Sequence, residues 1–459
     1  MRRKNPLIFY AAALAVVFGF VTTAPLLLAG RKNAPSRFNN KSGEDGALPY
    51  AGLISDGAGN LYGTTTSGGA YGGGTVFQLV PKNDTWTENI LYSFCRVNGC
   101  PDGGGPYAAL IFDEDGNLYG TTSEGGPYNL GAVFRLAPEN GTWTETVLHG
   151  FDRKDGDGPV GSVIFDAAGN LYGTTIQGGA YGKQCGGAGC GTVFELTPGG
   201  RTSNFWTETV LHNFNNNGKD GYWPQAGLVF DASGNLYGTT YYGGDGSCND
   251  GRGIGCGAVF ELTPGANGAW TETILHSFNR KDGYNPAAAL VFDAVGNLYG
   301  VTNHGGALGK GTVFQLSRSA GGTWTETLLH SFQNDGKDGF FPYGTLIFDM
   351  NGNLYGTTSE GSPDGDTCGG LPGCGTVFQL VYSANGKWRE KVLHGFNGSD
   401  GLYPVAGPIF GADGALYGTA AYGGNVKQCS GNGCGTVFRL APGTNGNWAE
   451  KVLHKFSFD

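Results

Sequence analysis

A glutamate followed four residues later by a histidine recurs six times in this chain, at Glu145/His149, Glu208/His212, Glu272/His276, Glu326/His330, Glu390/His394 and Glu450/His454. Glu88 occupies the same place once more, with Tyr92 where the others have histidine. Positions i and i+4 of an extended strand share a face, so each pair could serve as general acid and base. A catalytic centre needs one copy, however, and six copies at even intervals cannot converge on one substrate. The pairs therefore read as polar groups satisfied at a strand edge. A second series, Asp-Gly-x-x-Pro, begins at Asp45, Asp102, Asp155, Asp220, Asp282, Asp338 and Asp400. A ring of carboxylates suggests calcium, and the run from Asp152 to Gly158 loosely resembles a calcium loop. Its register is wrong for an EF-hand, and Asp-Gly is an ordinary turn pair. No metal and no cofactor is expected.

The strongest departure from repetition lies in the two x positions. Repeats one to three carry Ala47-Leu48, Gly104-Gly105 and Asp157-Gly158, whereas repeats four to seven carry Tyr222-Trp223, Tyr284-Asn285, Phe340-Phe341 and Leu402-Tyr403. Rings clustered on one side of one face either cap the strands that follow or form a contact surface. As a surface they would suit a neutral glycan, through apolar sugar faces and hydroxyl hydrogen bonds. The candidate ligand-binding residues are therefore Tyr222, Trp223, Tyr284, Phe340, Phe341 and Tyr403, with His304, the one histidine outside the series above, and Tyr241 as polar neighbours. Trp223→Ala with Phe341→Ala should then weaken binding and leave the melting temperature nearly unchanged. No unrepeated pair of carboxylates, and no histidine with a carboxylate, stands out as a catalytic set.

These residues sit in a unit repeated seven times: DGxxP, a pair of small residues, an apolar triplet, DxxGNLYGTTxxGG, a loop, GTVFxL, a second loop and WTExxLHxF. The tyrosines of its heptapeptide are Tyr62, Tyr119, Tyr172, Tyr237, Tyr299, Tyr355 and Tyr417, spaced 53 to 65 residues apart. A fixed period of this size signals a repeat architecture. Each unit shows four short runs bounded by glycine and nowhere a 3.6-residue apolar period of helical length, so the class is all-β. The first run is continuously apolar and the later ones admit polar residues, with the small pair just ahead of the first. Small side chains are what seven converging strands allow at a common axis. The reading is a seven-bladed β-propeller of four-stranded antiparallel blades over residues 45–459. Its seventh blade should supply its own outer strand, Trp448 to Phe456, with the ring closed by side-chain packing.

The chain has 459 residues, 39% of them hydrophobic, enough for a large core. Glycine numbers 87, far above the roughly 7% of average usage, and recurs at fixed turn positions. A net charge of −10, with no basic run beyond the N-terminus, argues against nucleic acid as a partner. Residues 1–32 read as a signal peptide or an uncleaved N-terminal anchor, since Arg2, Arg3 and Lys4 precede an uncharged run from Pro6 to Gly30. Any contact with membrane is expected through that segment alone. Residues 33–44 read as a linker. The ten cysteines fall in five close pairs, Cys95/Cys100, Cys185/Cys190, Cys248/Cys256, Cys368/Cys374 and Cys429/Cys434, as local disulfides of an exported chain do. Four pairs lie between the second and third strands and one in a crossover, which places all five on one face. Each short loop so closed contributes roughly 2 kcal/mol in the chain-entropy account, stiffening loops rather than holding the fold.

The unit GNLYGTT…GG…GTVF…W…LH resembles the GloVer tandem repeat of exported bacterial proteins with varied anchors, over about residues 45 to 456. That resemblance implies an exported propeller and supplies no catalytic residues. A weaker similarity to NHL-type propellers rests on the DxxGNLY hairpin. Two functional readings stand. One is a non-catalytic binding or scaffold propeller at the cell surface or outside the cell, with a glycan or a cell-surface protein as partner. The other is an enzyme, a glycan hydrolase or lyase, with its site at the mouth of one face.

Overall fold

The computed structural model describes residues 45–200, 205–245, 248, 255–333, 335–362, 367–368, 371–383 and 386–457. The proposed leader and linker, residues 1–44, lie outside them. No helix among the described residues is long and apolar enough to cross a membrane.

Seven antiparallel sheets repeat one plan. In blade two strand A is Ile111–Phe112, B is Leu118–Thr122, C is Ala132–Glu139 and D is Thr142–Gly150. Blade one runs from Ile54–Ser55 to Thr85–Ser93. Blade seven runs from Ile409–Phe410 to its own outer strand, Trp448–Lys455. Strand B is buried at every position, as LYGTT in the middle of a blade must be. Its glycine lies under the phenylalanine of strand C: a Cβ on Gly120 would come within 2.7 Å of the Phe134 ring.

The repeated residues are the ones that join neighbouring blades. At six seams the heptapeptide tyrosine packs edge-on against the strand-A phenylalanine of the next blade, as Tyr62 does on Phe112 and Tyr119 on Phe165, with ring centroids 5.0 Å apart; at closure Ser55 stands in that phenylalanine's place. The last phenylalanine of each unit is buried on the strand-C phenylalanine of the next, as in Phe94 on Phe134 and Phe151 on Phe194. The first threonine of GTT donates to a hub carbonyl one blade on, as Thr121 does to Gly161. Such edge-to-face ring pairs add about 0.5–1.5 kcal/mol each beyond their buried area.

The small pairs converge at the axis as their size requires. A Cβ on Gly407 would land on the carbonyl oxygen of Thr345 in the preceding blade. Ring closure differs from the sequence expectation, because it uses polar joints found at other seams in addition to packing. Leu48 N–H donates to the Cys434 carbonyl at 2.8 Å, Thr419 donates to Ala51, and Phe456 packs on Phe77.

Candidate functional site

The DGxxP segments form a tier along one end of the blades. In each repeat the first x residue pairs with the chain leaving strand B, as in Tyr222 with Tyr242 and Phe340 with Glu360, or by single bridges such as Tyr284 with His304. The second x residue is left-handed in all seven blades, with φ of 58–66° at Leu48, Gly105, Gly158, Trp223, Asn285, Phe341 and Tyr403. Bulky residues are held in that region only where surroundings over-determine it, at about 1–3 kcal/mol each. What determines it is a pair of backbone bonds. The Trp223 N–H donates to the Cys190 carbonyl of the preceding blade, and the Trp223 carbonyl accepts from Tyr241.

Those acceptors give the disulfides a second role. Five bridges join the predicted pairs. In four blades the carbonyl that accepts the next blade's left-handed N–H belongs to the second cysteine: Cys190, Cys256, Cys374 or Cys434. These four bridges therefore fix a joint between blades, which corrects the expectation that they only stiffen loops. Cys100, in the crossover, is different. Its carbonyl accepts from Gly103 at 2.9 Å and Gly126 at 2.8 Å, both within blade two, and the left-handed Gly105 N–H goes to the Gly73 carbonyl instead. The physical reason is position in the chain: Cys100 lies in the crossover after strand D, where the other four follow strand B and run directly into strand C. Its partner Cys95 does share the same end of the propeller, since a Cβ on Gly73 of the B–C loop would meet the Cys95 side chain. The Cys95–Cys100 bridge thus staples its own crossover and joins no seam through Cys100.

The aromatic candidates divide by depth. Tyr222 and Phe340 are core residues, 5% and 1% exposed. Trp223 is half-buried against Tyr222 and Tyr242. Phe341 carries the His304 ring at 4.7 Å and, with Phe340, the ammonium of Lys310 at 4.8 and 4.3 Å; Tyr284 lies beside His304. Burial, then Lys310, lowers the His304 pKa. Tyr403 alone of the six rings lines the central cavity.

That cavity, about 740 Å³ along the axis, is walled by the small pairs and by Leu, Ile and Val side chains. Among the described residues lining it there is no Asp, Glu, His, Lys or Arg. Beside Tyr403, Ser162 and Thr345, its polar side chains come from a position that sequence reasoning passed over, the residue directly after the DGxxP proline: Tyr50, Tyr107, Gln225 and Tyr343, where the other repeats have Val160, Ala287 and Val405. The available signal was variation at one position between an invariant proline and a residue that is always Ala or Gly. Tyr343 donates across the axis to Gln225 Oε1 at 3.0 Å, and the Tyr50 and Tyr422 hydroxyls bond at 2.8 Å. Tyr403, Tyr422, Tyr50 and Tyr107 form an arc over blades seven, one and two, with successive ring centroids 6.2, 6.1 and 5.3 Å apart. Burial pushes the Tyr343 phenol up to about 12, and raises Tyr50 further with help from its bond to Tyr422. These phenols stay neutral and offer hydrogen bonds rather than base catalysis.

The Glu and His of strand D do not face each other as an i, i+4 pair. A bulge between Val147 and His149, repeated in the equivalent place of every blade, turns the histidine to the opposite side from the glutamate. Each His instead meets the DGxxP aspartate entering the next blade: His149 with Asp155 at 3.0 Å, His330 with Asp338 at 3.0 Å and His394 with Asp400 at 3.1 Å. Tyr92 donates to Asp102 at 2.9 Å in the same manner. The next blade's glutamate completes the group. Burial first, with the charge of the seam aspartate adding to it, raises all seven glutamates, to about 7 at Glu208, Glu326 and Glu450 and about 8 at Glu145 and Glu390.

A family model described as the Gloeobacter/Verrucomicrobia repeat matches residues 29–249, 145–362 and 245–459. A comparison with curated protein sequences finds no match. Among solved structures, a Bacteroides uniformis protein provisionally named a 6-phosphogluconolactonase is similar at 14% identity and a TM-score of 0.52, over 89% of this chain and 96% of that one. The extracellular domain of a two-component hybrid from B. thetaiotaomicron aligns at 10% identity and TM-score 0.48, over 88% of this chain and 46% of that one. A Thermus thermophilus protein provisionally named a glucose dehydrogenase aligns at 17% identity and TM-score 0.40, over 76% and 98%. At such identities the first likeness shows the propeller fold alone.

Proposed function

The chain belongs to the Gloeobacter/Verrucomicrobia repeat family, and from that premise we propose an exported, non-catalytic binding propeller whose axial cavity takes an uncharged ligand, a neutral saccharide in the first instance. A chain that is repeat throughout has seven copies of its scaffold chemistry, so a single binding site must lie where the copies differ. They differ at the axis. One observation carries the reading: the cavity is lined without any ionisable side chain other than neutral phenols, and these stand around it with the Gln225 amide. Glycoside hydrolysis needs two carboxylates flanking the bond, and this lining supplies none. Tyrosine rings stack on the apolar face of a sugar while their hydroxyls meet its own. Five disulfides suit the oxidising environment that export provides.

The test is a panel of immobilised neutral and acidic oligosaccharides, probed with wild type and with Tyr343→Phe. Neutral members should bind, uronic-acid members should not, and loss of the Tyr343 hydroxyl should weaken binding about fivefold to tenfold, as loss of one neutral hydrogen bond does. Absence of binding across the neutral members, or equal binding by the variant, would overturn the reading.

A further inference from the structure

Among the described residues, the seam between blade seven and blade one holds the one strand-D glutamate with both carboxylate oxygens buried and without a hydrogen bond. Here His454 of the last strand, Glu88 of the first blade's outer strand and Asp45 of the lead-in converge, with donor atoms all within 4.8 Å of one another. His454 Nε2 lies 3.5 Å from Asp45 Oδ1 and 3.7 Å from Glu88 Oε1, hydrogen-bonded to neither. The Glu88 side chain is 2% exposed, and neither of its oxygens has a hydrogen-bond partner. At His149, His330 and His394 the imidazole is already hydrogen-bonded to its aspartate. At His212 and His276 the imidazole is also without a hydrogen bond, 3.4 Å from Asp220 and Asp282, but Glu272 stands off at 4.0 Å from His212, and Glu272 and Glu326 each leave one oxygen rather than two buried without a partner. At closure the aspartate is turned aside, because its Oδ2 accepts from the Ser457 amide at 2.8 Å and the Ser457 hydroxyl at 3.1 Å, while Oδ1 accepts from Gly46 at 2.7 Å.

A buried carboxylate without a hydrogen bond, a second carboxylate near it and an uncommitted imidazole nitrogen together make an unfavourable arrangement unless a cation enters. Tetrahedral Zn²⁺, with bonds of about 2.0–2.2 Å to His N and carboxylate O, sets its ligands roughly 3.3–3.6 Å apart. The separations at His454, 3.5 Å to Asp45 and 3.7 Å to Glu88, fall within and just above that spacing. Calcium, which takes six to eight oxygens, finds too few here. We propose that the closure seam binds one zinc ion through His454 Nε2, a Glu88 carboxylate oxygen and Asp45 Oδ1, with water in the fourth place. The Ser457 and Gly46 bonds to Asp45 would orient that ligand from behind. The ion would tie the lead-in, the first blade and the last strand to one centre.

The protein itself supplies the control. Tyr92 stands where the other repeats have histidine and bonds its aspartate, so a tyrosine is compatible with this position. The purified full chain is stripped with chelator, incubated with ZnCl₂ and desalted, and its zinc is counted by mass spectrometry beside a melting curve. Wild type and His149→Tyr should retain one zinc more per chain than His454→Tyr and Glu88→Gln, and should gain a few degrees in Tm with zinc that the latter two do not. Equal zinc in wild type, His454→Tyr and Glu88→Gln, or a wild-type Tm indifferent to zinc, would overturn the proposal. Glu88→Gln keeps the side-chain volume, so it decides the matter should His454→Tyr fold poorly.

Discussion

At the scale of single residues, the same side chain type serves packing or exposure according to its place around the DGxxP proline. Trp223, just before that proline in blade four, is wedged against Tyr222 and Tyr242, whereas Tyr107, just after it in blade two, is 42% exposed at the cavity mouth. Trp223→Ala should therefore lower stability by about 2 kcal/mol, as loss of a half-buried ring does, which a denaturant titration reads directly. Tyr107→Ala should leave stability within about 0.5 kcal/mol of wild type and weaken any saccharide bound at the mouth by about tenfold. Glu145 allows a pH test, because its seam contains Tyr92 and Asp102 in place of a histidine. Burial first and Asp102 second raise it from the ordinary 4.5 to about 8, with Arg96 opposing. The folded chain then holds a proton that the unfolded chain releases. Its contribution is complete below about pH 4.5 and is lost as pH rises through 8. Tm of wild type should fall between pH 5 and 9 by about 1–2 °C more than that of Glu145→Gln; parallel curves would show that Glu145 is ionised in the fold.

At the scale of the elements, hub and loop each make a prediction. A Cβ on Gly52 would have its nearest neighbour at 3.5 Å, whereas one on Gly407 would strike the Thr345 carbonyl. Gly52→Ala should thus melt within about a degree of wild type, and Gly407→Ala should lose about 1–3 kcal/mol or more through forced backbone movement. Replacing Cys368 and Cys374 by serine should release the carbonyl that receives the Tyr403 amide, 3.0 Å away. Amide exchange at Tyr403 should quicken at least tenfold while exchange in the strands of blade two is unchanged. Blade number, strand order, the small hub pair and the cysteine pairing were all legible in the sequence, since each follows from period, polarity or residue size. The seams were not. A β-bulge leaves no mark on composition, so Glu145 and His149 read as partners until the backbone showed them facing different blades. The place of Cys100 in a crossover was legible, but that the other four second cysteines accept the next blade's left-handed N–H was not. The cavity polar groups were hidden for a related reason: Tyr343 and Gln225 are 118 residues apart and meet only when the ring closes.

At the scale of the whole molecule, closure uses the backbone joint and the phenylalanine contact of the other seams, so the place where the chain begins should matter little to stability. Ser457 N–H donates to Asp45 at 2.8 Å, which brings the two ends of the propeller together. A permuted chain starting at Asp282, with residues 457 and 45 joined by a short glycine linker, should fold with a Tm within a few degrees of the parent; failure to fold would mean that the native seam is special for assembly. The central claim, however, concerns function: the ligand binds at the axis, where the residue after each DGxxP proline departs from seven-fold symmetry. Its most direct test is a crystal structure with the tightest-binding neutral oligosaccharide of the panel. The account predicts sugar density within the axial cavity, in contact with Tyr343 and the arc of Tyr50 and Tyr107. Density lying instead over Trp223, Phe341 and His304, with the cavity free of sugar, would contradict it.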